Sequence, residues 1–273
     1  MKIKEEIITS RKNPKITFAA SLSDKKEREK NRLFRTDGKK LAKELFERGI
    51  TPETVFIKES AAGALLPEFE GTKECDAYII SDGAFDKISE EKSPDGIICI
   101  VKYLDNFRKI NTIEKDGALS DEWKNGKILL LQSIRDPGNF GTIIRSAAAF
   151  GVTRVIASGD CADVYNPKTL RASMGAMFGV KVDIVDDLGR AVELLKGLKR
   201  RVFATALDRK AVKFGSFELL PTDCFVIGNE GHGLSEDIIE KCDGSVFIPI
   251  TNGAESLNAA AAATVVLWEM FKV

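Results

Sequence analysis

The chain has 273 residues, 44% hydrophobic and 30% charged, with a formal net charge of zero. That composition fits a globular protein of about two ordinary domains and excludes a disordered chain. The longest weakly polar stretch, 257–270, is interrupted by Asn258, Thr264 and Glu269 and falls short of the ~20 apolar residues a membrane span needs.

Charge is unevenly placed. Residues 1–48 carry fifteen Lys/Arg against eight Asp/Glu, a balance of +7, which leaves −7 for 49–273. Arg11, Lys12, Lys15, Lys25, Lys26, Arg28, Lys30 and Arg32 belong to that basic face, a clustering expected of phosphate binding. The interleaved Glu27, Glu29, Glu44 and Glu47 leave a solvated, salt-bridged helix as the alternative. Next, 37–48 places Leu41, Leu45 and Phe46 on one helical face, with Gly49 as a stop signal. Segments 54–57, 77–80 and 97–101 read as strands, so a small α/β domain is expected over 1–105. The polar stretch that follows lacks periodicity and predicts a linker over 106–126.

From 127 onward the alternation is clearer. Strands are predicted at 127–132, 153–157, 180–184, 201–206, 224–228 and 245–249, and helices at 139–150, 167–175, 187–198, 235–241 and 256–271. This pattern predicts a parallel sheet covered by helices, with ligands gathering at the carboxyl ends of the strands. No signal peptide is expected, because the N-terminus is charged and lacks an apolar core. The five scattered cysteines form no CxxC pair, and His232 is the single histidine, so no zinc site of familiar spacing is available. Reduced thiols and a cytoplasmic location are expected.

Three segments at predicted strand ends carry chemistry. The first, Asn139-Phe-Gly-Thr-Ile-Ile-Arg145, opens a helix after an apolar strand and sets a cation within an otherwise apolar run. An inward-facing cation is costly unless an anion meets it, which makes Arg145 the first suspect for catalysis. The second, Ile227-Gly-Asn-Glu-Gly-His-Gly-Leu234, is a glycine-rich loop that permits close ligand approach, with Ser235 as the cap of the next helix. In the third, Ile248-Pro-Ile250 leads through a loop to Ser256-Leu-Asn258 and an alanine-rich helix. Each has an ordinary alternative: turn glycines, a capping Ser256, or Arg145 paired with a structural carboxylate such as Glu230. The spacing around Gly228 is GxxGxG and not GxGxxG; no GxxxxGK[ST] loop or GxSxG elbow occurs.

In order and content, these three segments resemble the motifs of the SpoU class of SPOUT RNA methyltransferases, a TrmH-like family, over about 127–271. More weakly, Ile8-Thr-Ser-Arg-Lys-Asn-Pro14 and Leu33-Phe-Arg-Thr-Asp-Gly38 resemble its substrate-binding domain, with Asp37 where Glu is commoner. The resemblance implies a deep trefoil knot in 127–273, one of the exceptions to unthreaded connections, and a homodimer formed through it. It implies S-adenosylmethionine held largely by backbone groups at Gly228, Ile248 and Leu257, with Thr205 and Ile250 alongside. The expected reaction is methylation of a ribose 2′-hydroxyl in RNA, ribosomal rather than transfer RNA, without a metal. A transfer-RNA enzyme and a non-catalytic RNA-binding factor remain as alternatives. Arg145 would hold the target phosphate and stabilise negative charge, with Asn139, Glu230, Ser256 and Asn258 as orienting groups. Arg11, Lys12, Lys25, Lys26, Arg28 and Arg32 would contact the RNA.

Overall fold

The computed structural model describes residues 1–110, 121–208, 210–229, 231–251 and 256–273. Two compact units emerge: residues 1–104 with 165–178, and residues 105–164 with 179–273.

The first unit contains β1 (Lys2–Ile3), α1 (Pro14–Ser21), α2 (Lys25–Asn31), β2 (Leu33–Asp37), α3 (Lys39–Glu47), β3 (Thr54–Lys58), α4 (Ala62–Leu65), β4 (Asp76–Ile80), α5 (Asp82–Ile88) and β5 (Ile97–Lys102). Its five-stranded mixed sheet has the order β1-β4-β3-β5-β2. β3 and β4 run parallel, whereas β5 is antiparallel to both β3 and β2. The apolar faces of α1 and α5 (Ile16, Ala19, Ala84, Phe85, Ile88) close over Phe56, Ile80, Ile98 and Ile100 of the sheet. Burying each large side chain contributes ~1.5–3 kcal/mol.

In this unit Arg28 departs from its expected role. Only 2% of it is exposed. Its Nη1 donates to the carbonyls of Leu22 and Ser23 at 2.9 and 2.6 Å. These are carbonyls at the end of α1, where a helix leaves acceptors unpaired and favours a cation. Arg28 is therefore an internal clamp, withdrawn from any RNA. Arg11, Lys12, Lys25, Lys26 and Arg32 are exposed.

The second unit contains β6 (Phe107–Ile110), α6 (Asp121–Asn125), β7 (Ile128–Leu131), α7 (Pro137–Ala149) and β8 (Arg154–Ser158). After α8 (Pro167–Ser173), which clusters with the first unit, come β9 (Lys181–Val185), α9 (Leu188–Gly197), β10 (Val202–Thr205), β11 (Val212–Lys213), β12 (Cys224–Ile227), α10 (Glu236–Lys241), β13 (Gly244–Phe247) and α11 (Ala259–Phe271). The sheet order is β11-β13-β10-β12-β7-β8-β9-β6, and every pairing is parallel. Strands covered on both faces need continuous apolar runs, and Ile128-Leu-Leu-Leu131 is fully buried.

The expected linker is corrected at its start. Residues 107–110 pair with β9, as an edge strand of the parallel sheet. Their polarity is accommodated because Arg108 reaches the buried carboxylate of Asp183 at 3.2 Å. Residues 111–120 of that stretch lie outside the described residues. Among the described residues no helix is long and apolar enough to cross a membrane, and all five cysteines are free.

Candidate active site

Strand order reverses between β7 and β12, because β8 and β9 extend the sheet one way while β10 and β13 extend it the other. Such reversals open a crevice beyond the carboxyl ends of parallel strands. A cavity of about 650 Å³ lies to one side of that reversal, at the ends of β10, β12 and β13. Its walls include Thr205, Gly228, Ile248, Ile250, Ser256 and Leu257, which the sequence had singled out, together with Asn229, His232 and Leu234.

The glycine loop owes its shape to specific bonds. Asn229 and Gly233 exchange backbone hydrogen bonds, N–H to carbonyl, at 3.1 and 2.9 Å. The Asn229 Oδ1 accepts from the N–H groups of Gly231 and His232, while its Nδ2 donates to the Ser133 carbonyl at 3.0 Å. The loop folds back so closely that a Cβ on Gly228 would lie 2.5 Å from the Gly233 carbonyl carbon. Gly233 itself has φ +65°, a region that favours glycine. Gln132, at the end of β7, adds a two-way clasp: its Nε2 donates to Ser235 Oγ, and its Oε1 accepts from Ser235 N–H, both at 2.9 Å. Ser235 is the N-cap of α10, as expected, but it makes no side-chain capping bond, and its hydroxyl accepts from Gln132.

The helix expected over 256–271 starts three residues later, and Ser256, the alternative cap, is not its N-cap. α11 begins at Ala259, and Asn258 is its cap, with Oδ1 accepting from Ala260 and Ala261 N–H at 2.9 and 3.3 Å. Its Nδ2 donates to Asn139 Oδ1 at 3.0 Å. Asn139 lies in the first turn of α7, which Asp136 caps through a 2.7 Å bond from the Asn139 N–H. The first and third segments thus meet through one amide pair, beside the cavity-lining Ser256 and Leu257. Further along, Ser146 and Thr264 hydroxyls join α7 to α11 at 2.9 Å. Lys127 Nζ ties the far end of α11 down through the carbonyls of Met270 and Val273.

Arg145 is placed differently from expectation. The buried face of α7 is Phe140, Ile143, Ile144 and Ala147, spaced i, i+3, i+4 and i+7. Arg145 projects from the opposite side, is exposed, and is not among the residues lining the cavity. It makes no ion pair among the described residues. Glu230 lies outside the described residues.

Among the described residues, no Asp, Glu, Lys or Arg lines the cavity. The polar side chains within it are few, and Thr205 turns its hydroxyl inward to the Val226 carbonyl at 2.6 Å. Such a lining recognises a ligand through apolar contact and strand-end backbone groups. Nearby, burial pushes the Asp160 carboxyl up, but hydrogen bonds from Ser158, Ser133 and Arg135 outweigh it and hold the group below its ordinary value. Asp208, one residue past the lining Leu207, is likewise held low by hydrogen bonds from Ser245 and the Lys210 N–H. Asn229 and Gln132 were not expected to matter. The partners of the Asn229 Nδ2 and of the Gln132 side chain lie roughly a hundred residues away in sequence.

Comparison with known proteins places this geometry. Residues 126–268 match the model of the SpoU rRNA Methylase family, and residues 13–99 match the MRM3-like substrate binding domain. The chain belongs to the SpoU rRNA methylase family. Over 96% of this chain and 98% of the relative, it is 30% identical to the 23S rRNA (guanosine(2553)-2′-O)-methyltransferase RlmP of Bacillus subtilis (strain 168). It is 37% identical, over 49% of the chain and 48% of the relative, to the 23S rRNA (uridine(2479)-2′-O)-methyltransferase of Streptomyces viridochromogenes. Among solved structures, the AdoMet-bound rRNA methyltransferase from Sinorhizobium meliloti superposes with a TM-score of 0.81, at 23% identity, covering 99% of this chain and 98% of that one. That likeness concerns the fold. The knot of the C-terminal unit follows from family membership.

Proposed function

We propose that this chain transfers a methyl group from S-adenosylmethionine to a ribose 2′-hydroxyl of ribosomal RNA. The carrying observation is the cavity into which the second and third motifs converge, walled by Gly228, Ile248 and Leu257 with Thr205 and Ile250 beside them. The residues fit the cofactor: the walls are mostly apolar, and the absence of a Cβ at Gly228 lets the loop fold tightly against the strand end. The match to RlmP over nearly the whole chain supports the same reaction class and a ribosomal substrate.

When bound, the cofactor supplies a methyl already activated on a sulfonium. The chain does the rest. It must position a ribose hydroxyl, stabilise charge as that oxygen attacks, and let its proton leave. A guanidinium keeps its proton in proteins, so Arg145 is assigned to gripping the neighbouring phosphate and stabilising the developing negative charge. A phosphate oxygen or a water takes the proton. The Asn139–Asn258 pair, bonded at 3.0 Å, fixes the rim next to Ser256.

The exposed position of Arg145 favours a site shared between two copies. Along α7, Arg145 adjoins exposed Ala148 and Ala149. On the adjacent α11, Val265, Trp268 and Phe271 are exposed, and Phe150 packs against Trp268 and Phe271 at 5.9 and 5.8 Å. A second copy covering this apolar surface would bury it and carry Arg145 toward the partner's cavity.

Transfer of labelled methyl to ribosomal RNA, followed by nucleoside digestion, tests the reaction: the label is expected on ribose, and label on a base would reject it. Complementation tests the sharing. Co-expressed Arg145→Ala and Gly228→Leu chains should regain activity that neither has alone, whereas a self-contained site would leave the mixture inactive.

A further inference from the structure

Resting on the ribosomal RNA reading above, we propose that Arg32 is a stacking platform for an unpaired RNA base. Arg32 stands at the end of α2 with φ +54°, where glycine is favoured, yet it carries a long side chain. Its guanidinium lies 4.5 Å over the Tyr103 ring. Tyr103 in turn stacks on Tyr165, with centroids 3.9 Å apart and planes 20° apart. Tyr165 is buried, its hydroxyl accepts from the Leu104 N–H at 2.8 Å, and Phe34 packs against its ring at 4.6 Å. The pile thus runs from the core of the first unit out to an exposed guanidinium.

The neighbouring cations differ. Lys25 and Lys30 face Glu29 and Glu27 at 3.9 and 3.8 Å on the same helix, and Arg28 is buried. Arg32 makes no ion pair among the described residues, and its inner face is held against a ring. A planar cation clamped on one face presents its other face to a base, and its rim of N–H groups to phosphate or to the acceptor edge of guanine. The aromatic pile fixes that plane before the ligand arrives, so little side-chain freedom remains to be lost on binding. Basic charge elsewhere on the unit would draw RNA in without selecting for exposed bases; Arg32 would add that selection.

Arg32→Lys keeps the charge and the chain length but loses the plane. Full-length protein is titrated with single-stranded RNA of about twelve nucleotides bearing 2-aminopurine, and separately with heparin as a charge-only ligand. Wild type is expected to change the 2-aminopurine emission on binding. The variant should bind the RNA about tenfold more weakly, with heparin affinity unchanged. Tyr103→Leu, which removes the clamp, should weaken RNA binding in the same direction, and a thermal midpoint equal to wild type for Arg32→Lys shows that the unit remains folded. Equal RNA affinity for wild type and Arg32→Lys, or an equal loss on heparin, would overturn the platform while leaving the enzyme reading intact. Failure of wild type to bind any RNA would overturn both.

Discussion

Replacing Gly228 by alanine gives a sharp test of the cavity. The added Cβ would meet three backbone atoms: the Gly233 carbon and oxygen at 2.5 and 2.6 Å and the Leu234 nitrogen at 2.7 Å. Ordinary contact begins at 3.4 Å, so the loop must retreat by about 0.9 Å, and no flexible side chain is available to absorb the shift. Overpacking of this kind costs about 1–3 kcal/mol. Because Gly233 and Leu234 are themselves cavity walls, a loop that has retreated to relieve the clash must be drawn back to meet the cofactor, and where that restores the full strain S-adenosylmethionine affinity should drop by roughly 5- to 150-fold. Two neighbours provide controls. A Cβ on Gly231 would touch only the Asn229 Oδ1 at 3.5 Å, so Gly231→Ala should bind normally. Gly233→Ala meets open space but carries the φ of +65°, so it should lose stability, about 1 kcal/mol, more than affinity. Isothermal titration with the cofactor, paired with thermal denaturation, reads both quantities. Wild-type affinity in Gly228→Ala would show that the loop does not shape the cofactor site.

The two duties of Asn258 can be separated. Asn258→Asp keeps the oxygen that caps α11 but loses the donor to Asn139, so turnover should fall with little change in thermal midpoint, whereas Asn258→Ala should also lose about 1 kcal/mol of stability. Arg28→Met should destabilise the first unit by leaving the Leu22 and Ser23 carbonyls unpaired while leaving the salt dependence of RNA binding intact; Lys12→Ala/Lys26→Ala should do the reverse, flattening that dependence in filter-binding assays. Burial pushes the thiols of Cys99, Cys224 and Cys242 up to about 12, so they hold protons that an unfolded chain releases near 9.0. Native stability should therefore decline as pH rises from 9 toward 12, and at pH 8 a thiol reagent should reach half-buried Cys161 before those three.

The parallel sheet was legible because strands buried on both faces must be continuous apolar runs; the predicted 127–132 and 224–228 differ from β7 and β12 by a residue or two. β6 was not, since its Arg108 finds a carboxylate on β9, 75 residues away, and the residue alone reads as solvent-facing. β2 was hidden for a related reason. It buries Arg35, Thr36 and Asp37, and Arg35 is matched by Glu90 far along the chain. At the site, glycine content and strand-end position pointed to the cavity walls. The orientation of Arg145 was misjudged from the apolar character of its helix. The period of Phe140, Ile143, Ile144 and Ala147 turns position 145 outward, and that signal was present in the residues themselves. Arg28 shows the opposite failure: a regular alternation of charges conceals one cation that folds back onto helix-end carbonyls.

All the cavity's walls come from residues 205–262, whereas the first unit needs nothing beyond residue 178. Since domains tend to fold in order of synthesis, on the proposed reading the ability to grip a transcript would precede the ability to alter it. A polypeptide stalled between those two points would sit on its target as an inert competitor, so incomplete translation products would be a hazard to ribosome maturation and more than mere waste.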